Sequence, residues 1–401
     1  MMSDDLQIAV IGVGGRGGVA SYAHRPGKGS RLVAGADISA DALTAFAKRI
    51  DSDVSLYDDY RPMLDRRDID AVFIASPDFC HEEHAVAALE AGKAVYLEKP
   101  IAIDIAGCDR ILEAAYRSGS KLYVGHNMRH MPFVLKMKQL IDDGRIGQVK
   151  AIWVRHFISY GGEAYFKDWH AERRFSNSLL LQKGAHDIDI IHLLGGGYTQ
   201  SVHAMGALTV YGDVTDRRKP EEKPQIRSIP DLWPPAAQTG LNPTIDVEDL
   251  SMMQMRLDNG VFASYQQCHF TPDAWRNYTV IGTEGRIENY GDYAGDVEIR
   301  LWNKPPDYKE RGDEQFTLTG DIKSHGGADP KIVAEFLQFV RGQIQPSVSP
   351  IDARYSVAAG CLATQSLRLD GRVMQMPNVP ESWKNALRYS LDHPSSTLEV
   401  Q

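Results

Sequence analysis

Gln7-Ile8-Ala9-Val10-Ile11-Gly12-Val13-Gly14-Gly15-Arg16-Gly17 decides how the rest of this chain is read. Residues suited to a buried strand run without a spacer into a glycine-rich turn of the form GxGxxG, and a helical pattern, Gly18–His24, follows. A chain with 35 glycines produces such triplets by chance, so the weight lies in the context. Between a strand and a helix, Gly12 makes the tight turn, Gly14 lets a pyrophosphate approach the backbone, and Gly17 lets helix and strand pack closely. Free N–H groups at the helix start, beside Gly15 and Arg16, then receive the phosphates.

Outward from this turn the pattern repeats. Strand-like runs Arg31–Ala36, Asp70–Ala75, Ala94–Leu97 and Lys121–Gly125 alternate with helical patterns Ala40–Ile50, Glu82–Ala91 and Ile105–Ser118. That rhythm predicts an α/β fold, a Rossmann-like doubly wound parallel sheet with helices on both faces, over residues 1–127. Asp37 ends the second strand, where a carboxylate accepts hydrogen bonds from adenosine ribose hydroxyls and repels a 2′-phosphate. NAD is therefore expected over NADP, with the Arg16 guanidinium as the feature that would admit the phosphate.

From Pro132 the pattern changes. A helix at Phe133–Asp142 leads to an alternating strand, Val149–Phe157, and then to a helix around Gln182–Leu194. Val247–Leu257 and Val261–His269 flank Asp258-Asn259-Gly260, a strong hairpin signal, and Tyr278–Gly282 with Arg286–Glu288 reads as another short pair. Residues 128–375 are thus expected to form an α+β domain with an open, mainly antiparallel sheet. Asp213–Pro243, rich in proline and charge around Trp233-Pro234-Pro235, reads as a long surface excursion, and residues 376–401 as a polar tail.

Composition excludes several classes. The 401 residues are 43% hydrophobic and 24% charged, with 44 basic against 53 acidic side chains and a net charge of −9. An acidic total gives no general attraction to nucleic acid or anionic membrane. No apolar run approaches the ~18 residues of a membrane helix. The start, Met1-Met2-Ser3-Asp4-Asp5, has no signal-peptide character, and Cys80, Cys108, Cys268 and Cys361 show no CxxC spacing. A cytoplasmic protein without a disulfide framework is expected. His81-Glu82-Glu83-His84 lacks HExxH spacing, and His126 with His130 forms only a helical pair, so no metal site is expected.

Glu98-Lys99-Pro100 follows the strand Ala94–Leu97, and residues just past the carboxyl ends of parallel strands face the ligand crevice. A lysine there suits hydrogen bonding to a substrate oxygen and stabilising a developing alkoxide. With this tripeptide the chain resembles the glucose–fructose oxidoreductase / inositol dehydrogenase (Gfo/Idh/MocA) family from the first strand to about residue 375. The resemblance rests on Gly12–Gly17, Ser76-Pro77-Asp78-Phe79-Cys80-His81, Ala91–Pro100, Gly125-His126-Asn127-Met128-Arg129 and Lys183-Gly184-Ala185-His186-Asp187-Ile188-Asp189, with a weaker match at Gly282-Thr283-Glu284-Gly285.

The resemblance implies an NAD(P)-dependent dehydrogenase or reductase of a sugar, sugar derivative or cyclitol, assembled as a homodimer or homotetramer through the second domain. It implies Lys99 as the catalytic lysine and His186 as the proton-transferring histidine. It further implies that Ser76, Pro77, Asp78 and His81 line the cofactor groove, with Glu98 and Asn127 near the nicotinamide. Helical geometry puts Gln182, His186, Asp189 and Leu193 within about 60° of arc, so an amide and a carboxylate flank the imidazole. Gln182 stands where many family members carry aspartate, and Ser176-Asn177-Ser178 where many have a glycine-rich run. Asp189, Gln182, Arg129, Trp169 and Lys183 are the expected substrate-side contacts. Two rival functions remain open: a redox-neutral NAD-dependent glycoside hydrolase, and a non-catalytic sugar or dinucleotide sensor.

Overall fold

The computed structural model describes residues 5–50, 53–225, 233–292, 296–319 and 324–387. Strands β1 (Leu6–Ile11), β2 (Ser30–Ala36), β3 (Ser55–Tyr57), β4 (Ala71–Ile74), β5 (Ala94–Leu97) and β6 (Leu122–Val124) form one parallel sheet, ordered β3-β2-β1-β4-β5-β6. The order reverses between β1 and β4, which opens a crevice at their carboxyl ends. Alternation along each strand divides the side chains between two cores. Ala9, Ile11, Val72, Ile74, Val95 and Leu97 pack on one face with helix Ile105–Ser118. On the other face Ile8, Val10, Phe73, Tyr96 and Tyr123 meet Ile332, Val333 and Phe336 of helix Ser324–Val340. The far end of the chain thus returns to cover the first sheet.

Local differences from the sequence expectation have physical causes. β3 was not foreseen, because three residues with two exposed positions leave no apolar run. The helix after the glycine turn is a 3₁₀ helix, Gly15–Ala23, rather than one beginning at Gly18: Gly17 N–H donates to the Gly14 carbonyl at 2.7 Å, an i→i+3 bond. The helix expected around Gln182–Leu194 is two pieces, Leu179–Gln182 and Gly184–Gly195, with Lys183 at the joint.

The second sheet has nine strands: β7 (Val149–Phe157), β8 (Thr199–Ala207), β9 (Leu250–Leu257), β10 (Phe262–Cys268), β11 (Trp275–Gly282), β12 (Arg286–Tyr290), β13 (Asp296–Trp302), β14 (Glu314–Thr319) and β15 (Met374–Gln375). Their order is β14-β13-β12-β11-β7-β10-β9-β8-β15. All pairs are antiparallel except β7 with β10 at the centre. The hairpin between β9 and β10 turns at Gly260, whose φ of +87° suits a residue without a Cβ. One face of the sheet packs on helices Gly184–Gly195 and Pro350–Leu367. The other leaves Trp153, Met205, Met252 and Phe262 exposed.

Two segments are more integrated than composition suggested. Within the 213–243 excursion, Val214 and Leu241 are buried beside Tyr165, Phe166 and Tyr211, while Trp233 stays exposed and 226–232 lie outside the described residues. Of the expected polar tail, Glu381–Leu387 is helical, with Val379 and Leu387 buried against the first domain; residues 388–401 lie outside the described residues.

Candidate active site

The crevice between β1 and β4 is built for close backbone approach. A Cβ on Gly17 would stand 2.0 Å from the Gly12 carbonyl oxygen, and one on Gly12, whose φ is +80°, 2.6 Å from Ser76 N. Gly15, by contrast, faces open space, with nothing within 4 Å of its Cβ position. Tight glycines at the turn and an open rim above it form a cradle that fits a dinucleotide pyrophosphate. Asp37 holds this loop: its Oδ2 accepts from Val13 N–H at 3.0 Å and its Oδ1 from Ser39 N–H at 2.9 Å. Arg16 turns elsewhere. Its Nε donates to Glu98 at 2.8 Å, and both terminal nitrogens donate to Asp329 at 2.9 Å.

Behind the cradle, His81 joins the loops after β4 and β5, with Nδ1 2.7 Å from the Pro100 carbonyl and Nε2 2.9 Å from that of Ser76. Pro77 caps the 3₁₀ turn Asp78–Cys80. Asn127 follows β6 and donates to Asp329 at 3.1 Å, leaving its Oδ1 free among the described residues.

Lys99 reaches across the domain boundary to the chain just before the His186 helix. Lys99 Nζ donates to the Gln182 backbone carbonyl at 3.1 Å, and His186 sits one helical turn further on. Burial lowers the Lys99 ammonium to about 8; Asp78 and Glu98 oppose that shift and Lys183 adds to it. Burial, then Lys99 and Lys183, hold the His186 imidazole well below its ordinary value. The imidazole is therefore neutral at physiological pH and able to accept a proton.

Several buried polar atoms collect here without a hydrogen-bond partner among the described residues: Asp78 Oδ2, both nitrogens of His126, Gln182 Oε1 and His186 Nδ1. The His126 and His186 rings lie edge to face, 6.3 Å apart. Burial raises the Asp78 carboxyl, against the pull of His81 and Lys99. Asp78 also faces the Gln182 side chain, so a carboxylate from the loop after β4 stands beside the position where family resemblance expects one on the helix.

Two expected substrate contacts are satisfied inside the protein instead. Arg129 chelates Asp189, Nε to Oδ2 at 2.8 Å and Nη2 to Oδ1 at 2.6 Å, and both side chains are buried. The nearest imidazole to Asp189 is His126, at 3.6 Å, so the carboxylate backs the second histidine and not His186 as helical arc alone suggested. Asn177 supplies the turn expected of a glycine-rich run: it adopts φ +62°, and its amide donates to the Ile103 carbonyl at 2.8 Å.

The remaining wall comes from residues that spacing did not single out. Trp169, half buried, stacks on His170 at 3.6 Å and meets Phe79 edge-on at 5.5 Å, bridging the two domains. Tyr165 meets His269 at 5.2 Å, and Lys183 Nζ lies 5.7 Å from the ring centres of both Tyr160 and Tyr165. Asp187, next to His186, accepts from Tyr278 and Tyr265 hydroxyls and pairs with His156 and Arg276. These partners come from three strands of the second sheet, and no linear motif joins them.

Comparison with known proteins agrees with this architecture. The model of the Gfo/Idh/MocA family described as "Oxidoreductase family, NAD-binding Rossmann fold" matches residues 6–126, and that for the C-terminal alpha/beta domain matches residues 138–375. The Bacillus subtilis protein YteT is 29% identical over 305 residues, 66% of this chain and 71% of YteT. An inositol 2-dehydrogenase of Klebsiella pneumoniae is 32% identical over 193 residues, 47% of this chain and 54% of that protein. The chain thus matches about half the length of this second relative. A levoglucosan dehydrogenase solved with NADH and levoglucosan superposes with a TM-score of 0.72 at 21% identity, covering 93% of this chain and all of that one. At that identity the likeness speaks for the fold.

Proposed function

Since this chain belongs to the Gfo/Idh/MocA oxidoreductase family, we propose that it moves a hydride between NAD and a secondary carbinol carbon of a sugar, sugar derivative or cyclitol. The observation that supports the reading is that Lys99 Nζ bonds the Gln182 carbonyl one helical turn before a neutral His186, among buried polar atoms that lack hydrogen-bond partners among the described residues. Buried groups of this kind are nearly always hydrogen-bonded, and a polyhydroxylated ligand supplies the missing partners.

Nicotinamide, when bound, supplies the hydride acceptor. Lys99 donates a hydrogen bond to the carbinol oxygen and stabilises its negative charge as the carbonyl forms. His186 accepts the hydroxyl proton and returns it in the reverse direction. Asp78 keeps the ammonium in place in the role an aspartate at position 182 would otherwise serve. Gln182, Asn127 and Trp169 face or border the substrate space, while Arg129 and Asp189 stiffen the wall behind His126.

NAD is the favoured cofactor on two grounds. Asp37 presents a carboxylate beside the cradle, and the Arg16 guanidinium is consumed by Glu98 and Asp329 rather than free for a 2′-phosphate. On this reading the protein works in the cytoplasm as a homo-oligomer, with the exposed Trp153, Met205, Met252 and Phe262 covered by a second copy; light scattering on the intact protein reads the copy number. The function is tested by following NAD⁺ and NADP⁺ reduction against monosaccharides, sugar acids, inositols and glycosides. Reduction of NAD⁺ with a ketone product is expected; NAD binding without hydride exchange across the whole panel would overturn the reading.

A further inference from the structure

We propose that the substrate carries a carboxylate, as a sugar acid does, and that Lys183 receives it. The proposal rests on the hydride-transfer reading above and narrows its substrate class. It starts from a census of the charges around the site. Glu98 and Asp329 are taken by Arg16, Asp189 by Arg129, and Asp187 by Arg276 and His156. Arg276 is held in turn by Asp187 and Asp292. What remains without an ion-pair partner among the described residues is two ammonium groups, Lys99 and Lys183, against one carboxyl, Asp78. Asp78 acts on Lys99 through space, and Asp187 and Asp292, which share the Arg276 guanidinium, act on Lys183 in the same way, so among the described residues neither ammonium has a carboxylate in direct contact.

The placement of Lys183 is specific. It occupies the joint between helices Leu179–Gln182 and Gly184–Gly195, one turn before His186, and its stem is partly buried. Its ammonium is flanked by the Tyr160 and Tyr165 rings, each 5.7 Å away. His269, fully buried against Tyr165, stands within the field of Lys183, and neither of its ring nitrogens has a hydrogen-bond partner among the described residues. An ammonium walled by aromatic rings beside an unsatisfied imidazole suits a monoanion of the size of a carboxylate. A phosphate would ask for more donors than one amine and one ring supply. Burial and then Arg276 depress the Lys183 ammonium to about 7 against the pull of Asp187 and Asp292, and a carboxylate in direct contact raises it again.

Matched ligands test this directly. D-Galacturonate and D-glucuronate are compared with D-galactose and D-glucose, and with the corresponding hexose 6-phosphates, in NAD⁺ reduction and in calorimetric titration of the NADH-loaded protein. The uronates are expected to be favoured over the parent hexoses, and K183M to shrink that preference about 10- to 100-fold, as loss of a charged hydrogen bond does. K183R, which keeps the charge, is expected to retain most of the preference. Equal handling of uronate and hexose, preference for the phosphates, or an unchanged ratio in K183M would each overturn the proposal. Turnover of neutral sugars alone would sink the carboxylate site and leave the hydride-transfer reading standing; uronate binding that depends on Lys183 without turnover of any ligand would do the reverse.

Discussion

Helix Gly184–Gly195 carries two carboxylates and one imidazole within four residues, and their surroundings are opposite. Asp187 is saturated: Tyr278, Tyr265 at 2.9 Å, His156 at 3.0 Å and Arg276 at 3.1 Å all converge on it. Burial alone would raise its pKa, yet Arg276 and then His156 pull the carboxyl well below the usual range. Asp189 is chelated by Arg129 in the same manner. His186, just before them, has an Nδ1 with no partner among the described residues, and the same holds for atoms of Gln182, His126 and Asp78. Leaving a buried polar group unpaired costs about 1–3 kcal/mol, so a cluster of such groups marks where the protein awaits a ligand. The saturated carboxylates hold the wall, and the unsaturated groups do the chemistry.

The largest expected effect comes from breaking the unsaturated groups. H186A and K99A should each lower turnover by about 10²- to 10⁴-fold, the usual contribution of a positioned acid–base group. Since neither side chain holds the fold together, the melting temperature should fall by less than about 3 °C in either variant. Steady-state kinetics with thermal melting separates the two quantities. A variant that loses less than tenfold in rate, or that melts far below the parent, would move its residue among the saturated groups.

The saturated carboxylates should answer in stability. D187A leaves Arg276 buried with only Asp292, and removing one member of a buried ion pair costs about 3–5 kcal/mol. D189A leaves Arg129 with Asp352 at 3.4 Å and should fall in the same range. Urea unfolding followed by tryptophan fluorescence measures both. If D187A were as stable as the parent and yet inactive, Asp187 would belong with His186 and the division into saturated and unsaturated groups would fail.

Much of this is legible in the sequence itself. The first sheet announced itself because its strands are continuous apolar runs separated by amphipathic helices, and Gly12–Gly17 fixed where a ligand would lie. Lys99 and His186 stood out because strand-end and helix motifs are local. What the chain could not reveal was the partner of each buried group. Asp189 looked like a flank of His186 on helical arc, yet Arg129, sixty residues earlier, claims it. Asp187 looked like one more residue of a motif, but its four partners lie on β7, β10 and β11, brought together by strand register that no spacing encodes. The pull of Asp78 on Lys99 is invisible in the sequence because it depends on how two loops fold over one another. Ion-pair saturation is a three-dimensional property, so sequence named the chemistry-bearing residues better than it sorted structural from reactive ones.

The smallest expected effect, and the most diagnostic, is in pH. Lys99 stabilises an alkoxide only while protonated, and burial brings its pKa down to about 8. With a neutral sugar as substrate, so that Lys183 is not engaged, kcat/KM for oxidation should be level below that value and fall about tenfold for each further pH unit as the ammonium is lost. His186 must be neutral to take the hydroxyl proton. Because its pKa is held well below the ordinary 6.5, no acid limb should appear near that pH. K99R keeps a cation that does not titrate in this range, so whatever activity it retains should stay level through pH 9. A limb that persists near pH 8 in K99R would have another source, and the assignment of Lys99 as the cation at the carbinol oxygen would fall with it.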